Sequence, residues 1–459
     1  MESIAIAVLA LLATFGRMAL ALLSTVAIAY ALAYAMYKSR RVEAVLLPLL
    51  DVLQSVPILG FFPIALYVFV FIMPQIGAEL AAQFLIFTSM AWNIIFGIYQ
   101  SFKTLPRELI EMSQVYLTER LALAHVFLPV ALRSVYYNAA VSWSNAFFFI
   151  TASEVITLGT EVKLFGIGSF VVDAFEKGDT TAAYVGIAIG TAGNIALYLF
   201  LWRRLIREMP QPPYVLSKIL SVWMKYGIYV IFTATMLLSA VSIYYILRNF
   251  TPASQQWELL SYLVNSLIDV LPTLARVVMT LTISALAGLL SVALVVKNPQ
   301  LETTVFIALS ILSSIPAVFL YPLIGSVVRG EALSVALLLP GSIVYTVLNA
   351  VAAWRDVPKD LARAYGIGGA VYFIHILIPA TLPYLITGLL TAWGGAWNAT
   401  IVAESLANVN GLGAYMAQVA QLGNIPALII SVIVMSGVVI TVNKLVWKRL
   451  YNLVAQWHS

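Results

Sequence analysis

The sequence predicts an all-α polytopic membrane protein. About eleven transmembrane helices form two parallel five-helix repeats joined by one linking span. Three observations predict this. The chain has 459 residues, 62% hydrophobic and only 10% charged, with a mean hydropathy of +0.96. A soluble domain has nowhere to bury so much apolar surface. Several apolar runs reach the ~20 residues that cross a ~30 Å hydrocarbon core. Finally, the second half of the chain repeats landmarks of the first.

In chain order the expected spans are 17–37, 45–73, 80–100, 129–150 and 181–202, then 225–247, then 273–296, 303–327, 332–352, 380–402 and 425–446. A twelve-span arrangement is the alternative. Basic residues gather in one set of loops: Lys38, Arg40, Arg41; Lys103, Arg107, Arg120; Arg203, Arg204, Arg207, Lys218, Lys225; Lys297; Arg355, Lys359, Arg363; Lys444, Lys448, Arg449. The opposite set holds chiefly Lys163, Lys177 and Arg329. The positive-inside bias puts the first set and the C-terminus in the cytoplasm of a multi-pass plasma-membrane protein, with the N-terminus outside. The net charge of +5 is explained by these loops and does not indicate a nucleic-acid partner. Residues 3–16 are too short to cross alone. They are expected to lie along the interface as part of the mature chain, continuous with the first span.

The repeat rests on residues that rarely coincide by chance. In one register Arg17, Lys38, Glu43 and Pro63 fall on Arg276, Lys297, Glu302 and Pro322, and Ser55–Pro57 falls on Ser314–Pro316. In a second register His125, Pro129, Trp143 and Glu154 fall on His375, Pro379, Trp393 and Glu404. Five spans would invert a simple tandem copy; the span at 225–247 restores the orientation. The expected units are therefore 13–207, a linker 208–262 with its extra helix, and 263–449. A path on the pseudo-twofold axis would be lined by equivalent residues of both halves.

Two polar loops carry the mechanical signal, Leu105–Leu132 and Val357–Pro383. A motor outside the membrane needs a rigid handle, and a short helix with a glycine turn behind it supplies one. Pro106 and Pro358 suit a first helical turn, and Glu108 and Asp360 sit well at its positive end. Gly366 permits a turn that a side chain would strain. Counted back from Pro129, the first loop is degenerate: Tyr116 takes the glycine slot, and Glu108 and Glu111 fall out of register. Pro57/Pro63 and Pro316/Pro322 would break corresponding helices near the path, as structural kinks or as part of it.

Candidate path residues, or contacts for an external binding protein, are Trp143, Asn145, Glu154, Trp393, Asn398 and Glu404. Glu154 and Glu404 lie at expected span ends, where charge costs little. That favours the external surface over a substrate role, and Trp143 and Trp393 are expected to pack. The chain has no cysteine, and His125, His375 and His458 are too scattered for a metal cluster, so neither a catalytic nor a metal site is expected.

The second loop places Asp360, Ala362, Gly366, Ile376, Ile378 and Pro379 on the pattern E-A-A-x3-G-x9-I-x-L-P. It resembles the cytoplasmic coupling loop of ABC-transporter permeases, in the form of binding-protein-dependent importers. The S-[VI]-P-x5-P element and the later E…G-[IL]-G segments, Ser153–Gly168 and Ala403–Gly413, resemble the nitrate/sulfonate/taurine group. The resemblance covers nearly the whole chain. It implies a duplicated, single-chain permease with two ATP-binding cassette ATPases at the cytoplasmic loops and an extracytoplasmic substrate-binding protein. ATP and Mg would lie on those partner subunits, since this chain has no G-x4-G-K-[ST] loop. A secondary transporter with parallel repeats is the alternative, disfavoured because the middles of the spans are nearly free of ionisable residues. A permease for iron or thiamine is another.

Overall fold

The computed structural model describes residues 2–54, 58–155, 164–249, 256–313, 315–355, 357–447, 449, 450 and 453. All regular structure among them is helical. The first half comprises α1 (Glu2–Lys38), α2 (Arg40–Gln54), α3 (Ile58–Ile72), α4 (Gly77–Lys103), α5 (Arg107–Tyr116), α6 (Glu119–Ala122), α7 (Leu128–Val155), α8 (Ile167–Glu176), α9 (Thr180–Leu197) and α10 (Arg203–Glu208). α11 (Tyr214–Asn249) links the halves. The second half runs α12 (Gln256–Lys297), α13 (Leu301–Ser313), α14 (Ala317–Gly325), α15 (Gly330–Ala352), α16 (Lys359–Ala364), α17 (Gly369–Tyr372), α18 (Ile378–Ala407), α19 (Leu412–Gln421) and α20 (Ile425–Val442). The second repeat's first helix thus begins ahead of residue 263.

The duplication extends to backbone irregularities. π-helical turns at Leu123–Phe127 and Tyr198–Trp202 recur at Phe373–Leu377 and Asn443–Trp447. Asp179 caps α9 by accepting from the Ala182 N–H, and Asn424 caps α20 by accepting from Ala427.

Eight helices among the described residues are long and apolar enough to cross a membrane: Ser3–Lys38, Gly77–Lys103, Thr180–Glu208, Tyr214–Leu237, Glu258–Lys297, Gly330–Ala352, Gly369–Ala407 and Ile425–Trp447. The expected count was about eleven. Of the other three expected spans, 129–150 falls in α7, which is 28 residues long but less apolar. The span expected at 303–327 is divided into α13 and α14, and that expected at 45–73 takes in α2 and α3, which flank residues outside the described ones. Pro316 starts α14 with φ −60 and ψ 147, and Pro322 lies inside that helix. Pro63 falls within α3, while Pro57 lies outside the described residues.

Residues 3–16 are continuous with the first span, as expected: they are the first part of α1, a single 37-residue helix roughly 55 Å long. Ala7, Ala10, Leu11 and Thr14 are buried against the bundle. Arg17 therefore sits near the middle of a helix, as does Arg276 in α12.

The halves exchange elements. α3 of the first half packs on α18, α19 and α20. Its Leu59, Phe62 and Leu66 share a core with Trp393, Trp397, Leu412 and Leu428. Reciprocally, α14 packs on α7, α8 and α9. Phe319 is fully buried there, 5.8 Å from Phe147. A Cβ on Gly190 would lie 2.5 Å from the Phe319 ring, so only glycine admits that ring against α9. α3 and α14 thus each pack into the other half.

Candidate functional site

The two polar loops fold as short helices behind their prolines. Pro106 precedes α5, and Glu108 lies in its first turn; α16 follows Pro358, with Asp360 in its first turn. Counted forward from these prolines Glu108 and Asp360 correspond, which corrects the register obtained by counting back from Pro129. The first loop has a longer helix, so the mismatch arises behind it. α16 ends in a turn at Gly366, whose φ is 65, closed by the Ile367 N–H donating to the Ala362 carbonyl at 2.8 Å. α5 runs on to Tyr116 and leaves through Leu117 in extended backbone. Glu108, Glu111, Tyr116, Asp360 and Gly366 are all exposed, and Ala362 is buried. Met112, Val115 and Tyr116 of the first loop, and Tyr365 and Ile367 of the second, present apolar surface.

Glu154 and Glu404 are not at the external surface. Each is fully buried at 0% exposure. α8 folds back over the end of α7, bringing Ile167 against Gly190 in the middle of α9. The carboxylate is then enclosed within the bundle. Glu154 Oε1 accepts from Thr14 Oγ1 at 2.7 Å and Arg17 Nη1 at 3.2 Å, and Oε2 accepts from the Gly168 N–H at 2.8 Å. Glu404 Oε1 accepts from Thr273 Oγ1 and Arg276 Nη1, both at 2.7 Å. Its Oε2 accepts from the Gly413 and Ala414 N–H groups at 2.9 and 3.1 Å. The remaining guanidinium nitrogens grip Glu79 in the first half and Glu331 in the second, at 2.5–2.6 Å. The Phe165 carbonyl accepts from the same Arg17 Nη1 that meets Glu154, and the Asn410 carbonyl accepts from Arg276 Nη2. Burying these charges is tolerable because almost every lone pair and N–H is used.

This geometry explains the G-[IL]-G segment. A Cβ on Gly166 would lie 2.0 Å from the Glu154 carboxyl, and one on Gly411 would lie 2.5 Å from Glu404 Oε2. Gly168 and Gly413 abut the backbone of α7 and α18 as closely. Both glycines of the motif are therefore required for lack of space. Sequence reasoning missed the roles of Arg17, Arg276, Thr14, Thr273, Glu79 and Glu331. The available signal was a repeated arginine in an apolar helix, which demands a buried partner. Arg17 and Arg276, expected near the starts of their spans, instead lie in the middle of long helices with buried carboxylate partners.

Asn145 and Asn398 both lie where the halves meet. Tyr345 of α15 donates its hydroxyl to Asn145 Oδ1 of α7 at 2.6 Å, and the Leu59 N–H of α3 donates to Asn398 Oδ1 of α18 at 3.3 Å. Trp143 and Trp393 pack inside their own halves, against Trp202 at 5.8 Å and Trp447 at 6.2 Å. The π-helical turns that end on Trp202 and Trp447 bring these partners into place. No group of three metal-ligating side chains occurs among the described residues. The arrangement is a polar seam between two bundles, a buried charge cluster in each, and a short exposed helix in each polar loop.

The family described as the binding-protein-dependent transport system inner membrane component matches residues 25–256 and 281–457, one segment for each repeat. The chain belongs to that family. Related permeases include the nitrate import permease of Leptolyngbya laminosa, 31% identical over 103 residues, 22% of this chain and 37% of that protein. An Escherichia coli protein named for aliphatic sulfonates transport is 31% identical over 94 residues, 20% of this chain and 35% of its own length. The bicarbonate transport permease of Synechococcus elongatus is 26% identical over 175 residues, 37% of this chain and 59% of that protein. These alignments span about a third to three-fifths of the relatives' length.

Proposed function

We propose that this permease is the complete transmembrane unit of an ATP-driven importer for a small inorganic or organic anion. The observation that carries the reading is the pair of proline-started helical loops, α5 and α16, in a duplicated bundle of this family. Two cytoplasmic ATP-binding cassette subunits grip these loops, and ATP binding draws them together. The bundles then rock about the Asn145–Tyr345 seam and the path changes sides. A binding protein delivers the solute at the opposite end, which places the N-terminus outside and the C-terminus in the cytoplasm. The relatives named for nitrate, sulfonates and bicarbonate support an anion. So does the seam, which offers neutral hydroxyl and amide groups, while Glu154 and Glu404 are enclosed within their halves.

Purification of the tagged chain in mild detergent, with mass spectrometry of stoichiometric partners, tests this. Recovery of a P-loop ATPase, lost when Gly366 is replaced by a bulky residue, is the expected result. The buried Arg17–Glu154 and Arg276–Glu404 pairs favour one second reading, a secondary transporter that uses them for ion coupling. The chain purifying alone, yet moving a solute along an ion gradient in vesicles, would replace the first reading with the second.

A further inference from the structure

The two loops are anchored differently. Glu119, which opens α6 directly behind the first loop, accepts from Lys225 of α11 at 2.6 Å, from Tyr34 of α1 at 3.0 Å, and from Lys38 of α1. α11 itself is seated on α1. Trp223 Nε1 donates to the Ala27 carbonyl at 2.7 Å, and a Cβ on Gly227 would lie 2.9 Å from that of Ala31. This is the close approach that small residues allow between membrane helices.

Among the described residues, the positions of the second half that correspond to this anchor do not repeat it. Matched through the duplicated π-helical turns, Glu119 corresponds to Gly369, whose φ is 61. In the register that pairs Arg17 with Arg276, Tyr34 becomes Ala293. Ala27 and Ala31 become Leu286 and Leu290, which are 63% and 62% exposed. Among the described residues no helix occupies the face of α12 that α11 covers on α1. The second loop instead carries Gly366, Gly368 and Gly369, and a Cβ at each would meet nothing within 4 Å.

We propose that Glu119 is a positioning residue that fastens the first loop to α1 and α11, making the two handles mechanically unequal. The first moves as a rigid extension of the bundle, and the second turns on its glycines. Force from an ATPase on the first loop is transmitted directly; on the second it must first take up a hinge. The assignment of force rests on the function proposed above. The anchoring does not.

Hydrogen–deuterium exchange of the full chain in nanodiscs tests the anchor without any partner. Peptides over 107–116 exchange more slowly than those over 359–368. Glu119→Gln speeds exchange of the first by roughly three- to tenfold, the scale of losing partly exposed ion pairs, and leaves the second unchanged. Pairing Glu119→Lys with Lys225→Glu restores part of the protection, which a general loss of folding would not allow. Equal exchange of both loops in the wild type, or no change in Glu119→Gln, overturns the proposal and leaves the importer reading standing. In the complex with its ATPase, Glu119→Gln lowers kcat for ATP hydrolysis with little change in KM for ATP. Failure to recover any ATPase removes the importer reading and leaves the exchange result intact. Faster exchange with an unaltered kcat would show the anchor to be structural only.

Discussion

Replacing Glu404 with glutamine tests the brace of the second half most sharply. Two donors converge on Oε1, from Thr273 and Arg276, and two on Oε2, from Gly413 and Ala414. A glutamine has one acceptor oxygen and one NH2. Whichever way the amide is turned, its NH2 faces two donors. Arg276, only 4% exposed, would also lose its buried counter-charge and keep Glu331, which is 68% exposed. Breaking a buried pair from one side costs about 3–5 kcal/mol. Glu331→Gln removes a solvent-screened partner and leaves the buried charge paired with Glu404, costing roughly 1 kcal/mol or less. The assay is thermal unfolding of each variant in the same detergent, followed by tryptophan fluorescence and by retention of the monodisperse size-exclusion peak. The expected order is wild type, then Glu331→Gln close behind, then Glu404→Gln far below. A Glu404→Gln protein as stable as Glu331→Gln would refute the account of the cluster.

Tyr345→Phe deletes only the hydroxyl that reaches Asn145, a bond with a net worth of about 0.5–1.5 kcal/mol. If that bond holds one state closed, unstimulated ATP hydrolysis by the assembled transporter rises roughly two- to twelvefold, and an unchanged rate removes the seam from the gating account. Gly366→Val forces a β-branched residue to φ 65, a conformation that costs about 1–2 kcal/mol or more. It should weaken ATPase recovery while leaving the melting of the bundle nearly unchanged. Phe319→Ala empties the crossing point between the halves and should destabilise by about 3–5 kcal/mol, well beyond any exposed leucine of α12 changed to alanine. Lys225, then Lys38, with help from Tyr34, hold the Glu119 carboxyl down from 4.5 to about 2. A depressed acid contributes its stability above the unfolded value and loses it as pH falls toward the folded one. Exchange of the first loop should therefore not respond to Glu119 between pH 8 and 5, and should quicken below about 4.5; a transition near neutral pH would contradict the anchor.

Composition and repeat alone determined that this chain is an all-helical, duplicated membrane protein with two polar loops. Apolar runs must cross a bilayer as helices. Paired arginines, prolines and tryptophans in two long registers leave little besides duplication. Gly366 was legible because a left-handed turn excludes most side chains. Other features needed the tertiary structure. Glu154 and Glu404 read as span-end charges because a linear sequence cannot show that α8 returns over the end of α7. The helix boundary at Pro316 was visible, whereas Pro63 and Pro322, also expected to break helices, lie inside α3 and α14; that α3 and α14 would each cross into the opposite half was not visible. Tyr345, like Glu119, carries no local signal, since its role depends on a partner 200 residues away in the chain. Local propensity and hydropathy fix which segments are helices. Which faces meet, and which buried charges find one another, is decided only when the whole bundle packs.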